Sequence, residues 1–170
     1  PSDISPPVES TSQSIMNKWS IEATLPQDKE IARIAELLKP DTEVFLSTLP
    51  HVSLKRQIET VGLVRRYGLE PVLHIAARYF SNRDEITNFL KQARKVGNVN
   101  RVLLIGGDLN SPRGEFESSR KVIESGVLSD NDIRWVGIAG YPEGHPYIRT
   151  EILPRELDAK LNQLKVQGIE

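Results

Sequence analysis

The chain contains no cysteine and a single methionine in 170 residues. Without cysteine there is no disulfide framework, thiolate metal site, iron–sulfur cluster or cysteine nucleophile. Histidine is scarce too: only His51, His74 and His145 occur, with no His-x-x-x-His spacing, so no metal site is expected. Neither sign of charge dominates. The formal net charge is −1 with acids and bases interspersed, which leaves no electrostatic footprint for nucleic acid or an anionic membrane. No apolar run approaches the roughly twenty residues that a membrane span requires. Residues 1–15 are rich in Ser and Pro and lack the basic and apolar regions of a secretory signal. They read as a disordered leader ahead of Met16, and a cytoplasmic protein is the expectation.

What is there is alternation. Strand-like runs are expected at residues 19–24, 43–48, 71–77, 101–106 and 135–140. Helical patterns follow them at 29–39, 54–67, 82–96, 116–125 and 157–166, with Pro40, Gly68, Gly97, Gly126 and Gly168 as stops. Residues 29–39, for example, place Ile31, Ile34, Ala35, Leu37 and Leu38 mostly three and four apart. Five βα repeats imply a parallel sheet covered by helices, in one domain spanning 16–170. Two architectures meet that pattern: a five-stranded doubly wound sandwich, which the pattern alone favours, and the first five units of an eight-fold barrel.

Polar side chains stand at or near the carboxyl end of every expected strand, the edge at which parallel α/β sheets bind ligands. Glu22 lies between Ile21 and Ala23. Buried there, its ionised form would be disfavoured and it would serve as a general acid; at a strand edge it would face solvent or pair with Arg78. His74, inside an apolar strand, reads by itself as a core histidine. Asp108 follows Gly106 and Gly107, and the next helix is expected several residues later, which argues against a capping role. This glycine pair is neither a dinucleotide fingerprint nor a phosphate-binding loop. Tyr141, Glu143 and His145 are packed between Pro142 and Pro146, whose rings restrict the backbone.

Taken in order, these segments resemble the methylenetetrahydrofolate reductase family, flavin-containing (β/α)8 barrels of one-carbon metabolism. The matching pieces are SIE at 20–22 with Pro26, the His74 strand, LIGGD at 104–108, GEFESS at 114–119 and AGYPEGHP at 139–146. The resemblance implies an α/β fold of the TIM-barrel type, truncated to about five βα units. It also implies FAD as cofactor, NAD(P)H as co-substrate, and reduction of 5,10-methylenetetrahydrofolate to 5-methyltetrahydrofolate. In it, Glu22 takes the place of the proton donor and Asp108 that of the aspartate beside flavin and pterin. Thr48 or Ser47, His74, Gly107, Ser118, Tyr141 and His145 take cofactor-binding positions. The chain departs from the family at LPHVS (49–53), where a Gly-rich loop is usual, and at Gly106, where an Arg often stands. Lys160 and Lys165 are the candidates for gripping the FAD phosphates. Two alternatives accompany this reading: a folate-dependent methyltransferase or O-demethylase on the same barrel, and a non-catalytic truncated barrel. The latter would complete its exposed sheet edges as a homo-oligomer or on a partner.

Overall fold

The computed structural model describes residues 19–170; the expected leader, residues 1–15, lies outside them. Strands and helices alternate as β1 (Ile21–Ala23), α1 (Asp28–Leu37), β2 (Glu43–Leu46), α2 (Leu54–Arg66), β3 (Glu70–Ala76), α3 (Arg83–Gly97), β4 (Arg101–Ile105), α4 (Ser119–Glu124), β5 (Trp135–Ile138) and α5 (Leu153–Val166). A 3₁₀ turn, Ala77–Tyr79, follows β3, and another, Ser129–Asn131, precedes β5. Helix starts are secured locally. Ser53 Oγ accepts the Arg56 N–H at α2, Asn82 Oδ1 accepts the Glu85 N–H at α3, and Gln27 and Glu30 form a capping box at α1.

Every strand pair is parallel, and the order is β1-β2-β3-β4-β5. The α/β class is as expected. The order runs straight through, without the reversal at which a doubly wound sandwich moves its helices from one face to the other. Right-handed crossovers taken in one direction return each helix over the same face. In keeping with that, α1 packs on α2, α2 on α3 and α4 on α5. The strands carry the matching alternation. Val44, Leu46, Leu73, Ile75, Val102 and Leu104 are buried under the helices, while Glu22, Phe45, Val72, His74, Leu103 and Trp135 point to the opposite face. On that face the middle is closed, with Val72 and His74 buried, and the flanks are open, with Glu22 and Trp135 exposed.

Two helices begin elsewhere than their periodicity suggests. Helix α4 starts at Ser119, because Phe116 is buried in the preceding loop rather than on a helix face. Helix α5 starts at Leu153, ahead of the expected 157, with Pro154 in its first turn, where the missing N–H costs nothing. After α5 the chain returns along β5. The Glu170 N–H donates to the Arg134 carbonyl at 2.9 Å, and the Glu170 carbonyl accepts the Val136 N–H at 2.8 Å. These are the two bonds that a parallel neighbour makes opposite Trp135. Among the described residues, no helix is long and apolar enough to cross a membrane.

Candidate functional site

Parallel pairing brings the carboxyl ends of all five strands to one edge, and register decides which side chains share a face. Glu22 lies beside Phe45, and one row further on Thr24, Ser47, His74 and Leu103 continue the same face. Ser47 Oγ donates to Glu22 Oε1 at 2.5 Å, and Thr24 Oγ1 donates to Ser47 Oγ at 3.2 Å. Two hydroxyls in series thus hold one carboxylate oxygen and leave the other without a partner among the described residues. Of the two placements open to Glu22, the solvent-facing one is found: β1 is a three-residue edge strand and Glu22 is exposed. Glu22 does not pair with Arg78, whose guanidinium bonds to backbone carbonyls elsewhere.

His74 is only 6% exposed, with the Phe45 ring edge-on at 6.1 Å. Its Nε2 has no hydrogen-bond partner among the described residues. Burial pushes the imidazole pKa below its ordinary value, opposed in part by the charge of Glu22, so the ring is held neutral. An unpartnered buried polar atom costs about 1–3 kcal/mol, and a group that reached Nε2 from outside would recover it. Thr48, one residue beyond Ser47, points to the other side, as alternation in an extended chain requires. It is buried, and its hydroxyl donates to the His74 carbonyl at 2.5 Å. The hydroxyl on the face of Glu22 is therefore that of Ser47, and Thr48 braces the strand behind it.

Asp108 sits on the loop between β4 and α4. It is exposed, and its carboxylate makes no hydrogen bond or ion pair among the described residues. It caps no helix, since the N-cap of α4 is Ser118, a half-buried residue whose own side chain makes no capping bond. Gly107 has φ +89°, and a Cβ there would stand 3.0 Å from the Tyr79 ring, so only glycine fits. Gly106 differs: nothing lies within 4 Å of where its Cβ would be. Beyond β5, Tyr141 (φ +50°) and His145 meet edge to face at 4.8 Å, and Tyr147 adds a third ring at 5.9 Å from His145. The Tyr147 N–H donates to His145 Nδ1 at 3.2 Å, which places the hydrogen of the neutral ring on Nε2.

The expected phosphate-gripping lysines are placed otherwise. Lys160 is buried, donates to the Ala139 carbonyl at 3.3 Å, and has its pKa lowered by burial against the charge of Glu156. It shares a face of α5 with the buried Leu153 and Leu164, seven residues before it and four after. Lys165 lies in the last turn of that helix, at the opposite edge of the sheet. The exposed cation in the first turn is Arg155. A cavity of about 180 Å³ lies beside the carboxyl edge, walled by Thr48, Gln57, Tyr79, Glu85 and Arg113. Two larger clefts, about 440 and 430 Å³, run along α1, where Ala23 and Thr24 line the wall, and between α2 and α3. Among the described residues no cluster of three His, Asp or Glu is arranged to hold a metal ion.

Sequence offers Ser47 and Thr48 together, and only register chooses Ser47 for the face of Glu22. One contributor escapes a reading by sequence. Arg78 acts on carbonyls 31 and 39 residues later, beyond any local pattern. A scan against protein-family models finds none that matches the chain.

Proposed function

We propose that the chain is the opening five βα units of a (β/α)8 barrel of the methylenetetrahydrofolate reductase type. Such an enzyme reduces 5,10-methylenetetrahydrofolate to 5-methyltetrahydrofolate with NAD(P)H through FAD. One observation carries the reading: Glu22, fixed by Ser47, shares a sheet face with the unpartnered His74, at the edge that also presents Asp108. The unbroken strand order, with Glu170 bonded alongside β5, supports a sheet that continues round into a barrel.

The residues fit a flavin. His74 Nε2 is a buried polar atom lacking a partner, and Gly106 leaves open space where a side chain would otherwise stand. When bound, FAD supplies hydride transfer from the nicotinamide to the folate. His74, Gly107, Ser118, Tyr141 and His145 hold it, Thr48 braces His74 from behind, and Arg155 is the cation placed for its phosphates. Glu22 would deliver a proton to the folate nitrogen as the methylene bridge opens; Ser47 holds Oε1, and Oε2 has no partner among the described residues. Asp108, its carboxylate without a partner among the described residues, would lie beside the flavin and orient the pterin. The inward-turned Lys160, which removes one expected phosphate contact, favours a second reading: a flavin-free folate methyltransferase or O-demethylase on the same edge.

The visible absorption spectrum of the purified chain, with and without added FAD, separates these readings. Bound-flavin bands that NAD(P)H bleaches support the reductase. A colourless chain that binds tetrahydrofolate calorimetrically but ignores FAD supports the methyltransferase. Binding of neither sinks both and leaves the non-catalytic barrel.

A further inference from the structure

The segment after β3 grips the loop that carries Asp108. The Arg78 N–H donates to the Gly106 carbonyl at 2.9 Å, and the Arg78 carbonyl accepts the Arg113 N–H at 2.9 Å. Its guanidinium then forks, with Nε donating to the Glu117 carbonyl at 2.9 Å and Nη1 to that of Leu109 at 2.8 Å. Tyr79 Oη accepts the Asp108 N–H at 3.4 Å, and the Tyr79 carbonyl accepts from Arg113 Nη1 at 3.1 Å. Further along, the Ser81 carbonyl accepts the Glu115 N–H at 3.2 Å. Gly114 packs so closely there that a Cβ would fall 1.7 Å from that oxygen. A long connection without secondary structure is ordinarily a mobile element. This one is fastened at residues 106, 109, 113 and 117 by a single residue of the neighbouring loop. Among the described residues the Asp108 carboxylate has no partner of its own, and its place at the edge is set by the backbone that Arg78 holds.

We propose that Arg78 is the positioning residue for Asp108. Its planar fork spans the Leu109 and Glu117 carbonyls and keeps the aspartate presented at the carboxyl edge. Lysine cannot substitute, because an ammonium lacks two donors in fixed directions. What Asp108 acts on rests on the flavin–folate reading; how Asp108 is held does not.

The test uses the full chain with Arg78→Met, Arg78→Lys, Asp108→Asn and the Arg78→Met/Asp108→Asn pair. Amide hydrogen exchange across residues 109–117 is expected to accelerate about tenfold or more in both Arg78 variants, with β1 and β2 unchanged. FAD affinity, read by spectral titration, is expected to fall about tenfold in Arg78→Met and to fall no further when that change is added to Asp108→Asn. Unchanged loop exchange overturns the clamp. Additive losses across the cycle overturn its action through Asp108. A wild-type chain that binds no FAD defeats the flavin reading, while exchange still decides the clamp. Should Arg78→Met fail to fold, Arg78→Lys, which keeps the charge and the stem, supplies the comparison.

Discussion

Along the amino edge of the sheet, Glu43 holds Arg101 at 2.7 Å across β3, Glu70 holds Arg65 at 2.7 Å, and Asp132 holds Arg94 at 2.6 Å. Arg101 also lies over the Trp135 ring at 4.7 Å. Along the carboxyl edge, the Asp108 carboxylate and His74 Nε2 have no partner among the described residues, and Glu22 meets only a neutral hydroxyl. The same five strands run between the two edges, so strand geometry does not explain the contrast. Groups that answer one another serve stability. Of the groups left unanswered, buried His74 Nε2 carries a cost of about 1–3 kcal/mol, and all three are those to which the proposed function assigns a ligand. In parallel α/β folds this division of labour is general.

The contrast can be broken most sharply at Glu22. Glu22→Gln is expected to slow the folate half-reaction by about 10²-fold or more, with nicotinamide-driven flavin reduction within about twofold of wild type, both read by stopped-flow absorbance. Equal loss in both half-reactions would remove Glu22 as proton donor. At the opposite edge, Arg101→Met is expected to cost about 1–2 kcal/mol in urea unfolding, from a half-exposed ion pair plus a cation–π contact. The flavin spectrum should not change; a variant that unfolds normally but loses flavin would erase the distinction between the edges.

His74 gives the smallest effect and the finest test. Its folded-state pKa is lowered, so the unfolded chain takes up the proton first, near pH 6.5. The stability this group contributes is therefore complete above about pH 6.5 and is lost as pH falls through the depressed folded value. Thermal midpoints between about pH 7.5 and 5.5, a window above the ordinary carboxylate range, should drop for wild type and drop less for His74→Gln. Parallel curves would show that the imidazole is not the group titrating.

Much of the fold is legible in the residues themselves. The five strand runs and five helical runs follow from period-two and three-to-four spacing, and their stops from Pro40 and the glycines. Strand order is not legible, because alternation of β and α is common to barrels and sandwiches. Burial and exposure of Glu22 were both open from its apolar neighbours, and the short edge strand decides for exposure: among the described residues β1 has a neighbour on one side only. The choice between Ser47 and Thr48 depends on which residue shares the parity of Glu22 and His74. That is a matter of cross-strand register, which one sequence does not contain. Lys160 was a candidate cation by resemblance alone; it shares a helix face with Leu153 and Leu164, and the structure turns it inward.

The unbroken strand order has a consequence in time as well as in space. Among the described residues, each strand after β1 pairs with the one synthesised just before it. Register partners such as Glu43 and Glu70 are roughly 30 residues apart, which a ribosome covers in about 1–6 s at usual rates. A connection of that length closes orders of magnitude faster. The sheet can therefore grow from its first edge at the pace of translation, each new unit docking on a finished surface.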